Sequence, residues 1–161
     1  MKKISILFIL AVLLGACCNR TDRATGNDTP KDVFAKGKIL ENNPNFTGEA
    51  WLDMFVTAAD SMDCTVGNVT FAPGVRNSWH SHPGGQILLC TSGKGYYQEK
   101  GEPIRLLRPG DVVKIAPNVI HWHGAAPDSE FTHIAIGTQV SKGSAEWFGS
   151  VTDAEYGSYE K

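Results

Sequence analysis

From residue 51 onward the chain is built of short apolar or alternating runs with turn chemistry between them. The runs are Trp51–Ala58, Thr65–Phe71, Gln86–Cys90, Gly95–Glu99, Ile104–Leu107, Val112–Ala116 and Phe131–Ile136. The breaks are Ala72–Pro73–Gly74, Ser92–Gly93, Lys100–Gly101–Glu102, Arg108–Pro109–Gly110–Asp111 and Pro117–Asn118. Runs of this length with a period of two, punctuated by Gly, Pro, Asn and Asp, predict strands in an all-β sandwich or barrel. Two pieces flank that body. Asp32–Phe46, interrupted by Asn43–Pro44–Asn45, predicts a strand or loop packed on the outside, and Ser141–Lys161 ends polar and predicts one short helix.

The N-terminal pattern is different in kind. Met1–Lys2–Lys3 is followed by an apolar run from Ile4 to Leu14. At about 11 residues it is too short to span a bilayer, which takes ~20, and it fits the h-region of a secretory signal. Leu14–Gly15–Ala16–Cys17 resembles the lipobox of bacterial lipoproteins, which implies acylation at Cys17 and an exported protein lipid-anchored to the cell envelope, periplasmic or at the cell surface. Cys18 to Asp32 is polar and aperiodic and predicts a tether, so the expected organisation is a signal over 1–17, a linker over 18–32 and a single domain of about 130 residues over 33–161, enough for one core.

Charge and cysteine content narrow the function classes. The net charge is −2, and without Lys2 and Lys3 it is −4, 13 basic against 17 acidic residues. With no basic patch, a nucleic-acid partner is not expected. Within the domain only Cys64 and Cys90 occur, both in apolar strand-like segments, which favours two buried free thiols over a disulfide.

The chemistry concentrates in histidine. In a strand, residues i and i+2 share a face, so His80 and His82 present two imidazoles side by side. Pro83–Gly84–Gly85 then turns the chain, and Gln86 opens the next strand with its carbonyl oxygen able to reach the same centre. Further on, His121 and His123 form a second such pair, and His133 lies in Phe131–Ile136. Neutral imidazoles with an oxygen donor suit first-row transition metals. Trp79 and Trp122 flank the histidines and are expected to pack outward; one of Tyr96 and Tyr97 faces inward; Arg76 and Lys114 are expected at exposed strand positions, with contact to an anionic substrate as the alternative.

These stretches resemble the two cupin motifs. Gly74, His80, His82 and Gly93 match the first motif, with Gln86 where the family usually has Glu. Gly110 and His121 match the second, with Ala116, Asn118 and Ala125 in place of its Pro, Gly and Asn. Asn tolerates a left-handed turn better than most residues, so the change at Asn118 is expected to be mild. The resemblance covers about 66–137 and implies a single-domain jelly-roll-like β-barrel. Within the family, the combination resembles small manganese-dependent hydroxynitrile-lyase-like and carboxymuconolactone-decarboxylase-like cupins. Carried over by position, His80, His82, Gln86 and His121 hold a divalent metal, Mn2+ first, with Fe2+, Ni2+ or Zn2+ as alternatives. His123 and His133 stay unligated and are candidate acid/base groups, with orienting the metal ligands as the alternative. The implied function is a metal-dependent lyase on a small hydroxy- or carbonyl-containing molecule. An iron dioxygenase and a non-catalytic small-molecule or sugar-binding lipoprotein stand as alternatives, and a homodimer is expected from edge-strand pairing.

Overall fold

The computed structural model describes residues 33–159; the signal segment with Cys17 and the expected linker lie outside them. The strands are β1 Lys38–Ile39, β2 Ala50–Val56, β3 Cys64–Phe71, β4 His80–Ser81, β5 Gln86–Gly93, β6 Gly95–Glu99, β7 Arg105–Leu107, β8 Val112–Ile115, β9 His121–Ala125, β10 Phe131–Thr138 and β11 Glu146–Trp147, followed by a short helix α1, Asp153–Tyr156. They form two antiparallel sheets. One runs β1-β2-β3-β10-β5-β8 and the other β11-β4-β9-β6-β7. This is the β-sandwich of a jelly-roll-like barrel, as the period-two pattern predicts.

Alternation along the strands sorts the side chains between two clusters. Phe71, Leu88, Leu107 and Phe131 are fully buried between the sheets, with Val69, Val113, Ile115 and Tyr97 around them. Each such side chain stabilises the fold by roughly 1.5–3 kcal/mol. Trp79, Tyr96 and Trp122 belong to a second cluster with Val151, Tyr156 and Tyr159. Since Trp122 lies between His121 and His123, it faces the opposite side of the sheet. Tyr97, not Tyr96, is the inward tyrosine.

The C-terminal segment closes that outer face. β11 pairs with β4, with Trp147 opposite His80, and the amides of Trp79 and Phe148 extend the ladder to Gly149 and Trp79. Arg76 fastens the segment further on. Its guanidinium donates to the Val151 carbonyl at 2.9 and 3.2 Å and to Asp153 at 2.7 Å, and lies over the Tyr156 ring. Arg76 is therefore buried in a structural clasp, not displayed on an exposed strand or towards a substrate; Lys114 is exposed as expected. Among the described residues neither Cys64 nor Cys90 has a disulfide partner, and burial pushes the Cys90 thiol up to about 11.

The turn into β9 shows why the second motif tolerates its substitutions. Asn118 has φ 64°, and its N–H donates to the His82 carbonyl at 2.9 Å. Gly85, at φ 86°, donates to the same carbonyl at 3.0 Å. Two left-handed residues thus pin the end of the His80–His82 segment. Asn118→Gly is expected to leave stability within about 1 kcal/mol, whereas Asn118→Val should cost roughly 1–2 kcal/mol because a β-branched residue is strained at positive φ. Urea unfolding midpoints of the two variants check this.

Candidate metal centre

The site forms between the sheets because strands from both deliver side chains to one place. β4 and β9 pair with His80 directly opposite His121, and His82 follows two residues on. Gln86, the first residue of β5, comes from the six-stranded sheet. The metal-ligating atoms of His80, His82 and His121 lie within 4.8 Å of one another. His80 and His121 have ring centroids 4.2 Å apart, and those of His80 and His82 are 5.2 Å apart.

Hydrogen bonds to backbone carbonyls, which can only accept, set the ring protonation. The Nδ1–H of His80 donates to Ser78 and that of His121 to Val119, both at 2.9 Å. Each neutral ring therefore presents an Nε2 lone pair to the centre. The His82 Nε2 is buried and has no hydrogen-bond partner among the described residues. The His121 Nε2 faces Gln86 Oε1 at 3.1 Å, a contact between two acceptors. Converging lone pairs with no donor among them repel one another, and a bound cation relieves this. The donor set thus fits a divalent transition metal.

The remaining two imidazoles lie deeper. His123 is held by Asn77, whose Oδ1 accepts from its backbone N–H at 3.0 Å and whose Nδ2 donates to its Nε2 at 3.2 Å. His133, from β10, is wholly buried between Phe71 and Phe131, with centroids 5.9 and 5.1 Å away. Among the described residues neither of its ring nitrogens has a hydrogen-bond partner. It meets His123 edge to face at 4.8 Å. Backbone carbonyls, not these two rings, orient His80 and His121.

Burial dominates the electrostatics. All five imidazoles are held below the ordinary histidine range, first by desolvation: His121 to about 4, His133 to about 3, and His80 and His123 well below. Neighbouring histidines add to the shift at His80, His121 and His123. At neutral pH the cluster is therefore uncharged, the form that binds metal or accepts a proton. On the outside, His82 opens to a cavity of about 300 Å³ rimmed by Gly84, Gly137, Thr138 and Gly143–Ala145.

The sequence reading did not single out Asn77, Phe71 or Trp147. Asn77 lies inside the first motif stretch, three residues before His80. Trp147, stacked on His80 at 4.7 Å and 28°, is 67 residues away along the chain and gave no local signal.

Fold and site together define a cupin. The family model described as "Cupin domain" matches residues 67–137, and the chain belongs to this family. It is 41% identical to an (R)-mandelonitrile lyase from Granulicella tundricola, over 69% of this chain and 85% of that protein. A crystal structure of a cupin-like protein from Thermotoga maritima is 53% identical, covering 81% of this chain and 98% of that one, with a TM-score of 0.77. The polyketide cyclase RemF from Streptomyces resistomycificus shares the fold alone, at 12% identity over 74% of this chain and 84% of its own, with a TM-score of 0.60.

His133 makes a pH prediction with a definite sign. Its folded value lies below its unfolded one, so the unfolded state binds the proton more readily and stability falls as pH drops from about 6.5 towards about 3. His133→Phe, which continues the Phe71–Phe131 stack, should be less acid-sensitive than the wild type. The gap between their unfolding free energies should change by up to ~1.4 kcal/mol per pH unit in that window. Urea titrations across pH 3–7 measure it, with Phe71 and His123 as the unchanged neighbours of the substituted ring.

Proposed function

We propose that this cupin is a metal-dependent lyase that cleaves a small hydroxy-containing molecule, of the cyanohydrin type, to a carbonyl compound. The observation that carries the reading is the convergence of His80, His82 and His121 lone pairs with the Gln86 carbonyl, beside two further buried imidazoles that hydrogen-bond to none of them. The similarity to an (R)-mandelonitrile lyase supports the substrate class.

His80, His82, Gln86 and His121 would hold the ion, Mn2+ first and Fe2+, Ni2+ or Zn2+ otherwise. When bound there, a divalent metal supplies Lewis acidity towards a substrate oxygen. Because the four donors are neutral, none of its charge is cancelled, which favours acidity over tight binding. His123 or His133 takes the hydroxyl proton as the carbonyl forms and the bond to the cyano carbon breaks. The resulting imidazolium, strongly disfavoured by burial, returns the proton to the departing cyanide, so the products are the carbonyl compound and hydrogen cyanide. Phe71 and Phe131, packed on either side of His133, keep water from its ring.

The wider setting is also proposed. Cys17 in its lipobox-like context supports a lipid anchor and an envelope location. Among the described residues the two-residue β1 is the edge of its sheet, beside exposed Phe34, Ile39 and Phe55, and a second copy in a homodimer would cover that edge.

Metal analysis of the purified chain by mass spectrometry should find close to one transition metal per chain, lost in His121→Ala. A well-folded chain that takes up none would remove the metalloenzyme reading. With manganese loaded, release of benzaldehyde from mandelonitrile should fall about 100-fold or more in His123→Ala or His133→Ala; full turnover in both would refute the acid/base role. Gln86→Glu adds a charge facing the ion and should tighten manganese binding by roughly tenfold, ~1.4 kcal/mol, as read by calorimetry.

A further inference from the structure

His80 stands on a strand of only two residues, hydrogen-bonded on one side to β9 and on the other to β11. Its Nδ1–H bond to Ser78 fixes one point of the ring and leaves rotation about that contact. The Trp147 indole lies flat against the opposite surface, 4.7 Å away and inclined by 28°. Trp147 is backed by Phe46 at 6.4 Å, and Phe46 by Phe71 at 5.7 Å, so a chain of aromatic contacts runs from the C-terminal segment to the core. Even so, the indole is 41% exposed, and a half-exposed aromatic contributes less to the fold than a core residue does. Immediately before it, Gly143, Ser144 and Ala145 rim the cavity onto which His82 opens. One strap therefore touches His80 with its tryptophan and borders the opening at His82 with its glycine turn.

We propose that Trp147 is a positioning residue of the metal centre, holding the His80 ring in the plane that turns its Nε2 lone pair towards those of His82 and His121. The proposal rests on the metal reading of the site. Groups that orient a ligating histidine typically govern metal affinity by about 10–100-fold, and the orienting contact here is a stacked face. The clasp of Arg76 on Val151 and Asp153 keeps the strap, and with it the indole, in place.

The test compares the full-length wild type with Trp147→Phe, which keeps a ring, and Trp147→Leu, which keeps apolar cover without one. Manganese affinity is measured by calorimetry, and the visible absorption of the cobalt(II)-loaded chain reports ligand geometry. Trp147→Leu should bind manganese about tenfold or more weakly and shift the cobalt bands. Trp147→Phe should stay within about threefold of wild type and keep the wild-type spectrum. Wild-type affinity and spectrum in Trp147→Leu would overturn the proposal, as would Phe behaving like Leu. A wild-type chain that takes up neither metal overturns the metal reading itself, and is distinct from both.

Discussion

The centre depends on one cross-strand pair, His80 opposite His121. A strand slip of one residue would exchange faces, turning the imidazoles outward and Trp79 and Trp122 inward. The pairing is held well beyond the two residues of β4. Arg76 bridges to Gly124, where a side chain has no room: a Cβ there would lie 2.5 Å from the Val75 carbonyl. Asn77 binds both the backbone and the ring of His123. On the far side of β4, β11 completes the ladder. The alternation of Trp and His along β4 and β9 is thus one device with two faces. The indoles bury apolar surface under the C-terminal strap, and that gain offsets the cost of drying the imidazoles on the other face.

That cost is large and its distribution is informative. A buried polar group without a partner costs on the order of 1–3 kcal/mol. The protein meets it at His80 and His121 with backbone carbonyls, and at His123 with Asn77. It does not meet it at the His82 Nε2 or at either nitrogen of His133. Among the imidazoles, the unmet atoms fall into two places, one among the converging lone pairs of the three-histidine cluster and one between the rings of Phe71 and Phe131. The first suits a cation; the second is where the proposed reaction would put a proton in transit.

Much of this was legible along the chain, for reasons that differ by element. β6 falls on Gly95–Glu99 as its alternation predicts, and β3 and β10 differ from the expected runs by one or two residues at their ends. β1, β4 and β11 span two residues each, too short for any period to register. β9 is buried along its whole length, so it carries no alternation and was found through its histidines. Asn118 was readable because left-handed turns admit few residue types, and its φ of 64° agrees. Arg76 was not, since a cation among strand residues ordinarily faces water, and its partners Val151, Asp153 and Tyr156 lie 75 or more residues later. The place of Trp147 against His80 is of the same long-range kind.

The origin of the ligands adds a mechanical consequence. His80, His82 and His121 come from the five-stranded sheet and its β4–β5 turn, whereas Gln86 begins a strand of the six-stranded one. An ion shared by all four would tie the sheets together at one end of the sandwich, and its binding free energy would add to folding stability. Under the proposed reading, Gln86 would be the donor that tunes this tie. As an amide it would hold the ion without neutralising it, leaving the tie weak and the ion electrophilic. A carboxylate there would reverse the balance, holding the sheets harder and lowering the charge offered to a substrate oxygen. His123 and His133 make no hydrogen bond to the ligand imidazoles, and in the proposed reaction one of them would take the proton that such an oxygen gives up.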